Sequence, residues 1–190
     1  LPFTTTHISA ATGLVAWSLV ETWRGGKPTA VGMATGAVAG LVGITPGAGF
    51  VTPAAGMAIG AITGLLCYFS VQLKVSLRFD DSLDTFAVHG VGGTIGAILT
   101  GVFASAELIS SHPAGQVLAE NGRFALIGGQ FQAVLVAYGL AALGTLLIAA
   151  VLRGLGMPFR VPEEAENLGV DVREHGEEAY AERIGSPQFH

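Results

Sequence analysis

Long apolar runs separated by short polar breaks dominate the chain. Five can be drawn, at about residues 2–23, 29–46, 53–73, 84–104 and 124–152. Each is near the ~20 residues that a helix needs to cross a hydrocarbon core. The pattern predicts an all-α, polytopic transmembrane helix bundle over residues 1–156. The fifth run is long enough to tilt or protrude. The second and third are parted by Thr45-Pro46-Gly47 and Thr52-Pro53, a tight break built from turn-forming residues. Residues 157–190 differ in character. They are charged and polar, with Pro158, Pro162 and Pro187, and read as a partly extended tail with one short helix near 177–183. Leu168, Val170, Val172 and Tyr180 give that tail apolar points for docking.

The breaks also carry an orientation signal. Arg24 and Lys27, Lys74 and Arg78, and Arg153 and Arg160 fall on one side, while the stretch 47–52 has no basic residue and 105–123 has one, Arg123. The positive-inside rule then puts the C-terminus in the cytoplasm and residue 1 outside. Glycines recur every four residues, at Gly36 and Gly40, at Gly56, Gly60 and Gly64, and at Gly92 and Gly96. Such stripes predict close backbone approach between helices.

Composition narrows the class further. Only 12% of residues are charged, against roughly 25% in a soluble domain. The formal net charge of −5 comes mainly from the tail, and no basic patch suggests nucleic acid. A single cysteine, Cys67, allows no intrachain disulfide. No HxxxH, CxxC, GxSxG or Walker pattern occurs. Neither a bound metal nor a cofactor is therefore expected, and an enzyme using His89 and Asp84 as base and acid is the weakest reading. The first residues lack an initiator Met, a basic stretch and a cleavage site. The chain is expected to be part of a longer protein.

The chemistry concentrates in DDSLDTFAVHGVGG, residues 80–93. Asp80, Asp81 and Asp84 open the fourth run, where carboxylates favour the unpaired N–H groups of a helix start. Asp81 or Ser82 can serve as N-cap. These aspartates either shape the inner end of the helix or touch a substrate. His89 lies one to two turns deeper. An ionisable side chain at such depth needs a partner and by default marks a substrate or proton path. Imidazole can donate, accept and exchange a proton near neutral pH. The alternative is a core histidine bonded to a neighbouring helix carbonyl. Thr85 lies one turn before it on the same face, and Gly92 and Gly93 one turn after.

These residues match a known family. DDSLDTFAVHGVGGTIGAILTGVF resembles the ammonium transporter family (Amt/Mep branch), whose core reads roughly D-D-x-x-D-x-F-x-x-H-G-x-x-G. GGKPTAVGMATGAVAGLVGITPGAGFVTP is similar to the family's segment upstream of it. VPEEAENLGVDVREHGEEAY is similar to its cytoplasmic tail, with Gly169, Asp171, His175, Gly176 and Tyr180 in place. The resemblance covers essentially the whole chain. It implies a fragment of an eleven-helix, inverted-repeat fold, with these five runs as helices seven to eleven.

It further implies an ammonium/ammonia channel or transporter in the cell (plasma or inner) membrane. The cation is deprotonated near a hydrophobic pore, and ammonia and the proton pass two pore histidines. His89 matches the second histidine, Thr85 a pore-lining position and Val38 an apolar lining position. Asp80, Asp81, Asp84, Gly90 and Gly93 match the inner end of the pore helix. The first histidine and the gating and recruitment aromatics belong to helices outside this sequence. Methylammonium is a second candidate substrate. The resemblance also implies a homotrimer, tail coupling across subunits, and a PII signal protein as a candidate partner at the cytoplasmic face. A sensor of the same fold, signalling through its tail, is the alternative.

Overall fold

The computed structural model describes residues 1–177 of the chain. Among them stand α1 (Pro2–Gly25), α2 (Ala30–Ile44), α3 (Pro53–Ser76), a π-helical turn (Phe86–Gly90) that runs into α4 (Val91–Phe103), α5 (Pro113–Gly154), α6 (Glu163–Leu168) and α7 (Val170–His175). The described residues hold no β-strand, only an isolated antiparallel bridge between Val51 and Ala104. The fold is thus all-α. The described residues fall into two compact units, divided between Tyr138 and Gly139.

The helix ends follow local chemistry. Pro2 and Pro53 occupy first-turn positions, where a missing N–H removes no intrahelical bond. The hydroxyls of Thr29 and Thr52 accept the N–H groups of Gly32 and Ala55, at 3.0 and 3.3 Å, and cap α2 and α3. Gly26 ends α1 in the left-handed region at φ 84°.

Two boundaries differ from the hydropathy reading. The fourth helix begins at Phe86 instead of Asp84, because Asp84 has φ 55° and cannot continue a right-handed turn. The fifth begins at Pro113 and is broken at Gly122, whose φ of 79° only glycine adopts freely. The helical turns before Gly122 occupy a stretch that hydropathy alone reads as loop, since they are mixed in polarity. Just past the break, Arg123 Nη1 donates to the carbonyls of Gly101, Val102 and Ala104 at 3.3, 2.9 and 2.8 Å. These are orphan acceptors at the C-terminus of α4.

Within the first unit, α2 and α3 lie between α1 and α4. The glycine stripes are where the backbones meet. A Cβ at Gly60 would lie 2.2 Å from the Ser9 carbonyl oxygen, at Gly40 2.2 Å from the same oxygen, and at Gly64 2.6 Å from the Gly13 oxygen. Across the bundle, a Cβ at Gly96 would lie 2.2 Å from the Gly43 oxygen. Close approach also explains how α1 keeps its hydroxyls inside. Thr5, Ser9 and Thr12 donate to the carbonyls of Ala48, Gly40 and Met57 at 2.6, 2.8 and 3.0 Å. Each satisfies its own hydrogen and a partner's second lone pair.

Among the described residues, three helical stretches are long and apolar enough to cross a membrane: Pro53–Ser76, Phe86–Phe103 and Pro113–Gly154. Helix α1 matches them in length but is more polar, and α2 has 15 residues. None of the most apolar window of Pro113–Gly154 is buried. A surface of that extent is unfit for water.

In the second unit, α6 and α7 are separated by Gly169, at φ 103°, and α7 ends at Gly176, at φ 70°. The sequence-predicted tail helix near 177–183 lies almost wholly outside the described residues.

Candidate functional site

The π turn is the structural centre of the sequence motif. A π turn closes hydrogen bonds to residue i−5 and inserts one extra residue into the helix, often at functional sites. Here the Val91 N–H reaches the Phe86 carbonyl. The extra residue sets the facing of four consecutive side chains. Ala87 and Val88 are buried, 1% and 3% exposed, while Phe86 and His89 are exposed. Val88 enters the core formed by Trp17, Ala39, Cys67 and Tyr68. The Cys67 thiol contacts the Val88 carbonyl at 3.8 Å, a weak bond that ties the turn to α3.

His89 therefore points away from the packed bundle. Its ring forms no hydrogen bond among the described residues. A core histidine bonded to a neighbouring carbonyl is not what the structure contains. Thr85 and Val38 are also exposed, and Val38 neighbours Ala39, which packs in the same core as Val88. Gly92 does not share the histidine's open side. A Cβ there would lie 3.0 Å from Cys67 Sγ and 3.3 Å from Val42, so it serves packing on α2 and α3. Gly93 is open, with only Val42 4.0 Å from its would-be Cβ. At Gly90 a Cβ would meet the Phe86 ring at 2.8 Å. Regular helical spacing places both Gly92 and Gly93 one turn beyond His89, and the structure keeps only Gly93 on the open side.

The aspartates divide their tasks. Asp81 accepts the N–H groups of Thr85 and Phe86 at 2.8 and 2.9 Å and so caps the π turn. Partial desolvation raises its carboxyl pKa. Backbone donors from Thr85, Phe86 and Ala87, with the Lys74 charge, outweigh this and hold it below the ordinary 3.8. Asp84 pairs with Lys74, whose ammonium also donates to the Asp81 carbonyl. The lysine side chain is 13% exposed, so a partly buried charge is matched rather than orphaned. This knot joins the C-terminus of α3 to the start of the π turn, across a loop with left-handed Arg78 and Asp84. Asp80 is exposed and takes no part in it.

Sequence reasoning passed over three contributors. Lys74 counted only as an orientation charge. Arg123 counted only as the lone basic residue of its side. Tyr138 was not singled out, although a phenol inside the most apolar run is itself a signal, since its hydroxyl requires a partner. Its oxygen lies 2.8 Å from Thr94 Oγ1 and 3.2 Å from the Gly90 carbonyl.

The tail residues are placed separately, in the second unit. Gly169, at φ 103°, and Gly176, in the left-handed region, bound α7. A Cβ at Gly169 would lie 2.7 Å from Asp171 Oδ1. His175 sits in the last turn of α7, where a basic group suits the helix dipole. Tyr180 lies outside the described residues.

Comparison with known proteins agrees over nearly the whole length. The profile of the Ammonium Transporter Family matches residues 1–180. The ammonium transporter of Bacillus subtilis (strain 168) is 42% identical over 183 residues, covering 96% of this chain and 44% of the relative. The ammonium transporter MEP2 of Saccharomyces cerevisiae is 36% identical over 186 residues, covering 93% of this chain and 37% of the relative. Among solved structures, a sensor Amt protein superposes with a TM-score of 0.77 at 33% identity, over 92% of this chain and 41% of that one. The crystal structure of Saccharomyces cerevisiae Mep2 gives 0.58 at 36% identity, over 72% and 32%. The chain thus spans less than half the length of these relatives.

Proposed function

This chain belongs to the Ammonium Transporter Family, and we propose that it forms one wall of an ammonium-conducting pore in a multi-pass membrane protein. The observation that carries the reading is the outward His89. Its neighbours Ala87 and Val88 are buried, and its ring is left without a partner on the bundle side. Such a histidine is half of a site. The other half, a second pore histidine, would come from helices outside this sequence.

The mechanism follows from solvation. A bare cation pays heavily to enter an apolar tube. Ammonium can instead give up its proton at the pore mouth and cross as neutral ammonia. His89 would accept or donate a hydrogen bond to the passing molecule and offer a route for the proton. Thr85 and Val38, both exposed, would line the same wall, one with a hydroxyl and one with an apolar surface. Gly93 would leave room beside the ring. Asp80, Asp81, Asp84 and Gly90 would shape the inner end, with Asp81 and Asp84 acting through the cap and the Lys74 pair.

All five apolar helices would span the bilayer, α1 with its hydroxyls satisfied inside the bundle and α2 as the shortest. Residues 157–190 would then lie in the cytoplasm. Gly169, Asp171, His175, Gly176 and Tyr180 would couple neighbouring subunits of a homotrimer, and a PII signal protein would dock at that face. Methylammonium would follow the ammonium path. One observation favours a second reading: the similarity to a protein described as a sensor Amt protein. In that reading ammonium occupancy is signalled through the tail.

Reconstitution of the encoded protein in lipid vesicles separates the two. Ammonium uptake well above protein-free vesicles, with potassium excluded, is the expected result. Ammonium binding without flux would replace the transporter reading by the sensor one.

A further inference from the structure

The end of the π turn that carries His89 is also bonded to a residue of α5, and we propose that Tyr138, acting through Thr94, is a positioning residue for the pore histidine. The inference rests on the pore reading of His89.

Three oxygens meet beside the histidine. Thr94 Oγ1 lies 2.8 Å from the Gly90 carbonyl. Tyr138 Oη lies 2.8 Å from Thr94 Oγ1 and 3.2 Å from the same carbonyl. Two hydroxyl hydrogens serve three contacts. The two shorter ones are satisfied together if Tyr138 donates to Thr94 and Thr94 donates to Gly90. The longer contact is then a shared one. Gly90 follows His89 directly, so its carbonyl fixes the Gly90–Val91 peptide at the end of the π turn, one residue past the histidine.

A π turn is where such a brace is needed. Its hydrogen bonds span five residues, and its backbone competes with an ordinary α turn that would rotate the following residues. A relaxation of that kind would redirect His89 relative to Val88. On the bundle side the turn is anchored by Val88 in the core and the Cys67 contact. On the inner side it is anchored by Asp81. Tyr138 is the anchor from α5. A phenol placed in the most apolar run of the chain is costly unless its hydroxyl is used, and this is the use the structure contains.

The test uses the full encoded protein in proteoliposomes, with uptake normalised to folded protein. Tyr138→Phe and Thr94→Val each keep side-chain volume and delete one hydroxyl. Thr94→Ser keeps the hydroxyl, and His89→Ala is the reference. The proposal expects Tyr138→Phe and Thr94→Val to lose roughly threefold to tenfold in ammonium uptake, the span that one neutral hydrogen bond covers as an equilibrium. It expects a displaced pH profile of uptake in both, and Thr94→Ser close to wild type. A purely structural brace would lower the amount of folded protein and leave the pH profile unmoved. Unchanged uptake and pH profile in Tyr138→Phe and Thr94→Val, with both altered in His89→Ala, would overturn the proposal and leave the pore reading standing. No change in His89→Ala would remove the pore reading and this inference with it.

Discussion

At the scale of single residues, the aspartates show how one motif serves two physical tasks. Asp81 holds backbone donors and Asp84 holds a lysine. The first task has a pH signature. The folded-state pKa of Asp81 lies below its ordinary value of 3.8. A depressed value means stability that is fully present above the unfolded pKa and lost as pH falls through the folded one. Asp81→Asn is therefore expected to melt below the wild type at neutral pH, and the gap to close below about pH 4. Thermal unfolding in detergent across that range checks it, and a gap of constant size down to acid pH would contradict the assignment. The cap was legible in the sequence because carboxylates before an apolar run are a helix-start signal. The Lys74 partner was not. It depends on two left-handed residues, Arg78 and Asp84, folding the loop back, and nothing in the composition of that loop announces them.

Among the elements, hydropathy gave the helices, and their contacts were readable from glycine spacing. Gly40, Gly60, Gly64 and Gly96 each bring a backbone within reach of a neighbour's carbonyl. Adding a methyl at Gly60 forces α1 and α3 apart. Gly60→Ala should cost about 1–3 kcal/mol, the range for overpacking a tight contact. Gly25→Ala, with nothing within 4 Å of its would-be Cβ, should be neutral. Melting temperatures of the two variants, measured together, decide the point, and equal effects would mean that the stripe is not a contact. What spacing could not supply is register inside the fourth helix. Regular 3.6-residue periodicity places both Gly92 and Gly93 one turn beyond His89. The structure separates them, with Gly92 packed into the bundle and Gly93 on the open side. The break in α5 was hidden for a similar reason: Gly122 is one glycine among 28, and its positive φ has no marker in sequence.

For the molecule as a whole, the exposed apolar surface of α5 and the outward histidine are two views of one fact. The surfaces left uncovered suit lipid, other helices or a pore, not water. The Lys/Arg distribution predicts that the tail is cytoplasmic. A cysteine placed at Glu174, exposed in the second unit, should react with a membrane-impermeant reagent only after the cell membrane is opened. Labelling of intact cells would invert the topology. The all-α fold was legible in the apolar runs, and the family in three sequence segments. The completed site was not, because its facing histidine would lie in helices beyond this sequence. The most direct measurement is ammonium uptake by the full encoded protein against a potassium gradient, wild type beside His89→Ala. The account predicts that the wild type takes up ammonium and excludes potassium, and that the variant loses either flux or that discrimination. A variant indistinguishable from wild type in both would contradict it.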